Sequence, residues 1–246
     1  MEAERDGWNT IRMDGQIVGV RTAGIDEKCQ AFETMVIYAS TLGARFAPYL
    51  AQALEITLPQ LRFYFHDGVR EACAMQVILI LFHFTHSIIT LNRLIPMLLS
   101  AGKNSNTLTP QMVSATFVQV ISCISDEYDS SFLASMFKSF ADCLRVVGGP
   151  QALPPEYQNG ILNATKKQLQ AIADRRRSRG SQSGGEDDMD EADEEDLALM
   201  EEMEDFALED MGKMLKLFNP QHPLLVAISS VKDLGTNRYG SEDESE

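Results

Sequence analysis

The stretch from Leu58 to Ala74 constrains the fold of this chain more than any other part of the sequence. It reads as the end of one apolar helix, a tight turn at Asp67-Gly68, and a second helix that opens with Val69-Arg70. An aspartate suits such a turn because its carboxylate accepts hydrogen bonds from the free N–H groups of the following helix. Helix pairs joined in this way form repeat arrays in which each unit packs on its neighbours. We therefore assign a structural role in a repeat turn to Asp67, Gly68, Val69 and Arg70.

The rest of the chain continues this helical pattern. Apolar residues recur at helical spacing, Pro110 and Pro155 suit the first turn of a helix, and Gly43 and Gly148 suit helix ends. No stretch alternates apolar and polar residues as a half-buried strand does. We therefore predict an all-α fold, a HEAT-repeat α-solenoid segment with an acidic disordered loop. The predicted helices cover residues 25–42, 46–65, 110–125, 130–147, 155–172, 197–217 and 222–234, together with one that begins at residue 68.

Changes in composition suggest five regions. Residues 1–23 are polar and glycine-rich, which favours an extended connector, and residues 24–176 carry the HEAT-type helices. Residues 177–196 are basic and then acidic, which predicts a flexible loop. Further repeat helices are predicted for residues 197–234, and a disordered tail for residues 235–246.

The acidity of the chain is concentrated in one run. Residues 186–210 hold 15 acidic side chains and no Lys or Arg, whereas the other 21 acids balance the 21 Lys and Arg of the whole chain. Dense charge of this kind attracts basic segments and speeds their encounter. The candidate partner-binding residues are Glu186, Asp187, Asp188, Asp190, Glu191, Asp193, Glu194, Glu195 and Asp196. The alternative interpretation is a solvated loop that only improves solubility.

A basic segment, Arg175–Arg179, lies just before the acidic run. Three interpretations are open: a pairing with the run within the same chain that masks it, a nuclear localisation patch, or a flexible basic linker.

The sequence favours no enzyme, cofactor or metal. His66-Asp67 lies in a turn where adjacent side chains rarely face each other, and no nucleophile has a matching motif. His83 and His86 are three residues apart but lack a third ligand. There is no glycine-rich phosphate loop. We therefore predict no catalytic residue, no cofactor and no metal site.

The sequence also favours a chain outside the membrane and in a reducing compartment. The apolar stretch Val77–Leu91 is shorter than the about 20 residues that a spanning helix needs, and it contains two histidines. The four cysteines form no closely spaced pair and lie in apolar helical surroundings, which is typical of reduced, buried thiols. They are Cys29, Cys73, Cys123 and Cys143.

Several blocks of sequence resemble a known family. Gly19-Val-Arg-Thr, Phe63-Tyr-Phe-His-Asp-Gly-Val-Arg and Phe140-Ala-Asp-Cys-Leu-Arg-Val-Val-Gly, followed by the acidic run, occur in the order and spacing of the middle of the importin-β superfamily. The chain resembles most closely the importin beta-three branch of these nuclear transport receptors, over nearly all of residues 6–225.

The resemblance implies a receptor that binds the nuclear localisation signals of basic cargo proteins and is regulated by Ran-GTP. It implies shuttling between cytoplasm and nucleus, with nucleoporins as further partners and no direct contact with nucleic acid. It also implies an internal fragment that lacks the repeats making the main Ran contact. A structural HEAT-repeat scaffold or adaptor is the alternative function.

One departure from the family pattern concerns residues 77–93. The element Ile95-Pro-Met-Leu-Leu is expected about two helical turns after Val69-Arg70, but here it is delayed by this stretch. Without residues 77–93, the flanking segments would join into one ordinary amphipathic helix. We therefore predict an insertion, and we interpret it as a retained intron.

Overall fold

The computed structural model describes residues 9–13, 16–20, 22–64, 78–182 and 191–236. These residues divide between two compact units, residues 1–123 and residues 124–246. The repeat-turn residues Asp67, Gly68, Val69 and Arg70 lie outside the described residues.

Two short strands lie within residues 1–23, for which the sequence predicted an extended connector. Strand β1 (Asn9–Met13) pairs antiparallel with β2 (Gln16–Val20), and Met13 lies opposite Gln16. The prediction that the chain has no strand is therefore wrong for this segment. The signal was present in the sequence, because Asp14-Gly15 is typical of a two-residue hairpin connection.

Helices make up the rest of the first unit. Helix α1 (Thr22–Leu42) ends at Gly43, whose positive φ of 51° favours glycine, and a 3₁₀ segment (Gly43–Tyr49) leads into α2 (Leu50–Tyr64). Helix α3 (Ile78–Asn104) packs against α1, the 3₁₀ segment and α2.

Helix α3 contains most of the stretch that we predicted to be an insertion. The described side chains of that stretch include Thr90, Leu91 and Asn92, which are buried. The origin of the stretch as a retained intron stays a prediction. Downstream of it, α3 contributes Leu94, Ile95, Leu98 and Leu99 to the core, all fully buried.

Helix α4 (Pro110–Asp126) crosses the division between the units, and its start and end match the predicted span closely. Thr109 caps it, because its hydroxyl accepts a hydrogen bond from the backbone N–H of Met112 at 3.2 Å.

The second unit holds α5 (Ser130–Val147), α6 (Pro155–Gln182), α7 (Glu191–Phe218) and α8 (Leu224–Thr236). Asp129 caps α5 by accepting from the N–H groups of Ser131 and Phe132, and Gly148 ends it with a φ of 112°. The predicted span of α5 is therefore confirmed at both ends.

Helices two apart along the chain pack side by side in this unit. Helix α5 packs against α7, and α6 packs against α8. Phe137, Phe140 and Leu144 of α5 and Leu208 and Met211 of α7 are fully buried. Two layers of alternating helices are the arrangement that a helical repeat produces, so the predicted all-α repeat fold is confirmed here.

A buried glutamine closes the end of α4 within this unit. The Gln168 amide of α6 donates to the carbonyl oxygens of Ile124 at 2.7 Å, Ser125 at 3.1 Å and Glu127 at 2.7 Å. The last carbonyls of a helix have no partner inside the helix, so this side chain satisfies groups that burial would otherwise leave costly.

Among the described helices, none is both long enough and apolar enough to cross a membrane.

Candidate functional site

The candidate site lies where the basic segment and the acidic run meet. Helix α6 continues through the basic segment to Gln182, and α7 begins at Glu191 inside the acidic run. The sequence predicted a flexible loop over residues 177–196. That prediction is wrong for residues 177–182 and 191–196, which are helical, whereas residues 183–190 lie outside the described residues.

Three arginines of α6 converge on one carboxylate of α7. The Glu204 carboxylate accepts from Arg175 Nε at 3.1 Å, from Arg176 Nε at 2.8 Å and from Arg179 Nη2 at 2.5 Å. The side chains of Glu204 and Arg176 are 2% and 1% exposed. Within the second unit, these four residues form a charged group with a buried centre, which we call the arginine cluster; the Arg175 and Arg179 side chains are partly exposed.

Arg176, on α6, connects the cluster to α7 and α8. Its Nη2 donates to the Glu201 carbonyl at 3.2 Å and to Asp205 Oδ1 at 3.0 Å, both on α7, and its Nη1 donates to the Val231 carbonyl of α8 at 3.2 Å. The planar guanidinium group presents five N–H donors in a fixed fork, which a lysine could not reproduce.

The cluster also decides the protonation of Glu204. Burial by itself would raise the pKa of this carboxyl group, but hydrogen bonds from Arg179, Arg176 and Arg175 outweigh it and hold the pKa below its ordinary value. Glu204 is therefore ionised at neutral pH. Its negative charge offsets the positive charges that the arginines bring into the interior.

Of the three interpretations left open for the basic segment, the structure supports the pairing with the acidic run within the same chain. The acids that pair are Glu201, Glu204 and Asp205, in the second half of the run. The other two interpretations of the segment do not fit, because Arg176 is buried and Arg175 and Arg179 point their charge into the cluster. Arg177 is 60% exposed and pairs with Asp174.

The predicted partner-binding residues divide into three groups. Glu186, Asp187, Asp188 and Asp190 lie outside the described residues. Glu191, Asp193 and Glu194 belong to the first turn of α7, and their side chains are outside the description. Glu195 and Asp196 are exposed. The structure thus describes the side chains of two of the nine, both on the surface.

Further along α7, exposed residues recur on the face opposite the core. We call the set Glu195, Leu199, Glu202, Phe206 and Glu209 the outer stripe, and all five side chains are exposed. Their spacing of four and three residues places them on one side of a helix. The count of charges in the acidic run does not reveal this stripe. The helical spacing of Leu199 and Phe206 was the signal for it.

The described residues contain no group of three or more potential metal ligands. The side chains of His83 and His86 lie outside the description. Cys123 and Cys143 are buried free thiols. Burial, and to a smaller extent the nearby Asp142 carboxylate, raises the pKa of the Cys143 thiol well above its ordinary value. It therefore stays protonated and weakly reactive.

Known proteins resemble this chain in sequence and in fold. Residues 132–222 match the family model described as importin repeat 6. Importin subunit beta-3 of Saccharomyces cerevisiae is 37% identical over 75 residues, which are 30% of this chain and 7% of that protein. The chain therefore spans a small part of the length of this curated relative.

Solved structures of Kap121p show the same fold. The complex with Ste12p has a TM-score of 0.63 at 20% identity, over 94% of this chain and 19% of that one. The complex with RanGTP has a TM-score of 0.58 at 20% identity, over 93% and 20%. The complex with Nup53p has a TM-score of 0.58 at 21% identity, over 93% and 21%.

Together, the layered helices and these structural likenesses define the class of the protein as a HEAT-repeat solenoid segment. The importin-repeat match, which contains most of α5 and all of α6 and α7, and the yeast relative show that this part of the chain is similar to importin-β karyopherins.

Proposed function

We propose that this chain is a repeat segment of a nuclear import receptor and that the acidic part of α7 binds basic segments of cargo proteins. The observation that carries the proposal is the division of the acidic run. Glu201, Glu204 and Asp205 are engaged by arginines, whereas Glu195, Asp196 and Glu202 face solvent beside them.

The exposed acids are placed to act on a partner rather than on the fold. Charges on the surface of a rigid helix create a field that attracts basic segments and raises their rate of association. The arginine cluster supports this role because it holds α7 against α6 and α8, so the acids stay in a fixed arrangement.

The family gives the proposal its biological setting. Karyopherins of this family are transport receptors rather than enzymes, and Kap121p forms complexes with Ste12p, Nup53p and RanGTP. We extend to this chain the same kinds of partner, namely basic cargo, nucleoporins and Ran-GTP, and localisation in both cytoplasm and nucleus. Binding of NLS peptides and regulation by Ran-GTP are part of the proposal.

A titration with a basic peptide tests the proposal. A fluorescein-labelled peptide rich in Lys and Arg is titrated with the full chain at low and at near-physiological salt, and its anisotropy is measured. We expect binding that weakens as salt rises, because screening shortens the reach of surface charges. A chain with all nine candidate acids, from Glu186 to Asp196, changed to Gln or Asn should bind more weakly and depend less on salt.

The control is the variant E55Q/E156Q, which removes two exposed acids outside the run. It should bind like the wild type. Binding that is insensitive to salt, or unchanged when the nine acids are neutralised, would contradict the role assigned to the acidic run.

A further inference from the structure

The outer stripe of α7 alternates acidic and apolar side chains. Leu199 is 54% exposed and Phe206 is 46% exposed, and they lie between Glu195, Glu202 and Glu209 along the same face. A single exposed apolar side chain is ordinary on a protein surface. Two large apolar side chains at regular spacing among carboxylates form a patch that a partner with matching apolar and basic side chains could cover.

The geometry of the stripe defines what would fit it. Leu199 and Phe206 are seven residues apart, which is about 10.5 Å along a helix. A partner helix that packs alongside presents residues on one face at the same repeat of seven. Apolar side chains at that repeat would contact Leu199 and Phe206, and basic side chains between them would reach Glu195, Glu202 and Glu209.

The opposite face of α7 keeps the stripe in place. Ala207, Leu208, Met211 and Leu215 are fully buried, and the arginine cluster fixes Glu204. Because α7 is anchored on that side, the stripe is presented on a rigid support and needs little ordering on binding.

We propose that the outer stripe is a docking surface for an amphipathic basic helix of another protein, with apolar residues seven positions apart and Lys or Arg between them. The inference rests on the proposed function and adds that the basic partner binds as an α-helix. Charge complementarity selects this occupant, because Glu195 and Glu202 would repel an acidic helix and give a neutral helix no electrostatic gain. The third carboxylate, that of Glu209, is paired with Lys213 of the same helix at 2.9 Å and adds less.

Two peptides of equal charge separate this inference from the proposed function. Each is about 18 residues long, five helical turns, and carries the same lysines and arginines. One has leucines at a repeat of seven, and the other has serines at those positions. We expect the leucine peptide to bind the full chain about tenfold or more tightly than the serine peptide, and to gain helicity on binding.

Variants of the chain locate the effect. L199S/F206S should abolish the preference for the leucine peptide while leaving its salt-dependent part, and V118S/V226S should leave the preference intact. Val118 and Val226 are 51% and 72% exposed and lie on other helices, so they match the change in polarity. Circular dichroism of each variant confirms that the fold is retained.

The other possible results of these binding experiments would contradict the docking surface, the proposed function or both. Equal, salt-dependent binding of both peptides overturns the docking surface and leaves the proposed function standing. A preference that survives L199S/F206S also overturns it. Absence of binding by either peptide overturns both. A doubled mass of the peptide-free chain in light scattering, lost in L199S/F206S, would identify a second copy of this chain as the occupant instead.

Discussion

The acidic side chains on the two faces of helix α7 are in opposite environments. On the inner face, Glu204 is 2% exposed and bound by three arginines, whereas on the outer face Glu195 and Glu202 are exposed to water. A run of acids in a sequence is therefore not one functional unit. The helix period divides it into a part that holds the fold together and a part that faces partners.

The largest effect should come from removing the centre of the inner face. Glu204→Leu leaves the charges of Arg175, Arg176 and Arg179 without their common partner, which we expect to cost about 3–5 kcal/mol of unfolding free energy. Urea unfolding followed by circular dichroism measures it. The matched control is Glu202→Leu on the outer face, which should change the stability by less than about 0.5 kcal/mol. Equal effects of the two changes would contradict the division of the helix.

The same contrast between a buried and an exposed polar side chain can be tested with two uncharged residues of α6. Gln168→Leu leaves the carbonyls of Ile124, Ser125 and Glu127 without their donor, and we expect a loss of about 1–3 kcal/mol. Gln170 is exposed and bonds only to Asp174 among the hydrogen bonds described for it, so Gln170→Leu serves as the control. The same unfolding experiment compares them. If Gln170→Leu costs as much, burial is not what makes Gln168 matter.

The protonation of Glu204 gives a pH prediction with a definite sign. Because its pKa in the folded state lies below the ordinary value of about 4.3, the carboxylate stabilises the fold fully above that pH. This stability is lost as the pH falls from about 4.3 through the lower, folded-state pKa. A carbon-13 NMR titration of the Glu204 carboxyl group measures it directly. A midpoint at or above the ordinary value would show that the arginines do not outweigh burial.

The smallest effect on stability should come from the outer face. We expect E195Q/D196N/E202Q to unfold within about 0.5 kcal/mol of the wild type, because surface charges contribute little. Thermal unfolding at matched salt gives the measurement. A clear stabilisation would mean that repulsion among these acids strains α7, and a clear loss would mean that they hold the fold.

Much of the second unit could be predicted from the sequence because its boundaries have local chemical signals. Asp129, the glycines at 148 and 149, and the proline at 155 fix the ends of α5 and the start of α6. These signals act over a few residues, so a single sequence reveals them. The same holds for Gly43 at the end of α1.

The end of α6 could not be predicted in this way. Arg175–Arg179 followed by a stretch rich in Gly and Ser reads as a break in helix, because consecutive charges normally remain in water. Tertiary contacts overrode that local preference. Glu204 is 25 to 29 residues away in sequence, and only the packing of α6 near α7 brings it within hydrogen-bond distance.

The candidate site shows the same limit. Composition revealed that the acidic run matters, but it did not reveal which acids are neutralised within the chain and which are exposed. That distinction depends on how α7 is rotated against α5 and α8. The better candidate for the partner-binding surface is therefore the outer stripe, where Leu199 and Phe206 lie among the acidic side chains, rather than the loop of nine acids.

The role of the outer face of α7 is tested most directly by the affinity of the folded E195Q/D196N/E202Q chain for a Lys- and Arg-rich peptide at low salt. We expect binding several-fold weaker than that of the wild type, with a shallower dependence on salt and an unchanged unfolding midpoint. Wild-type affinity in this variant would contradict the claim that the outer face of α7 is the part of the acidic run that meets partners.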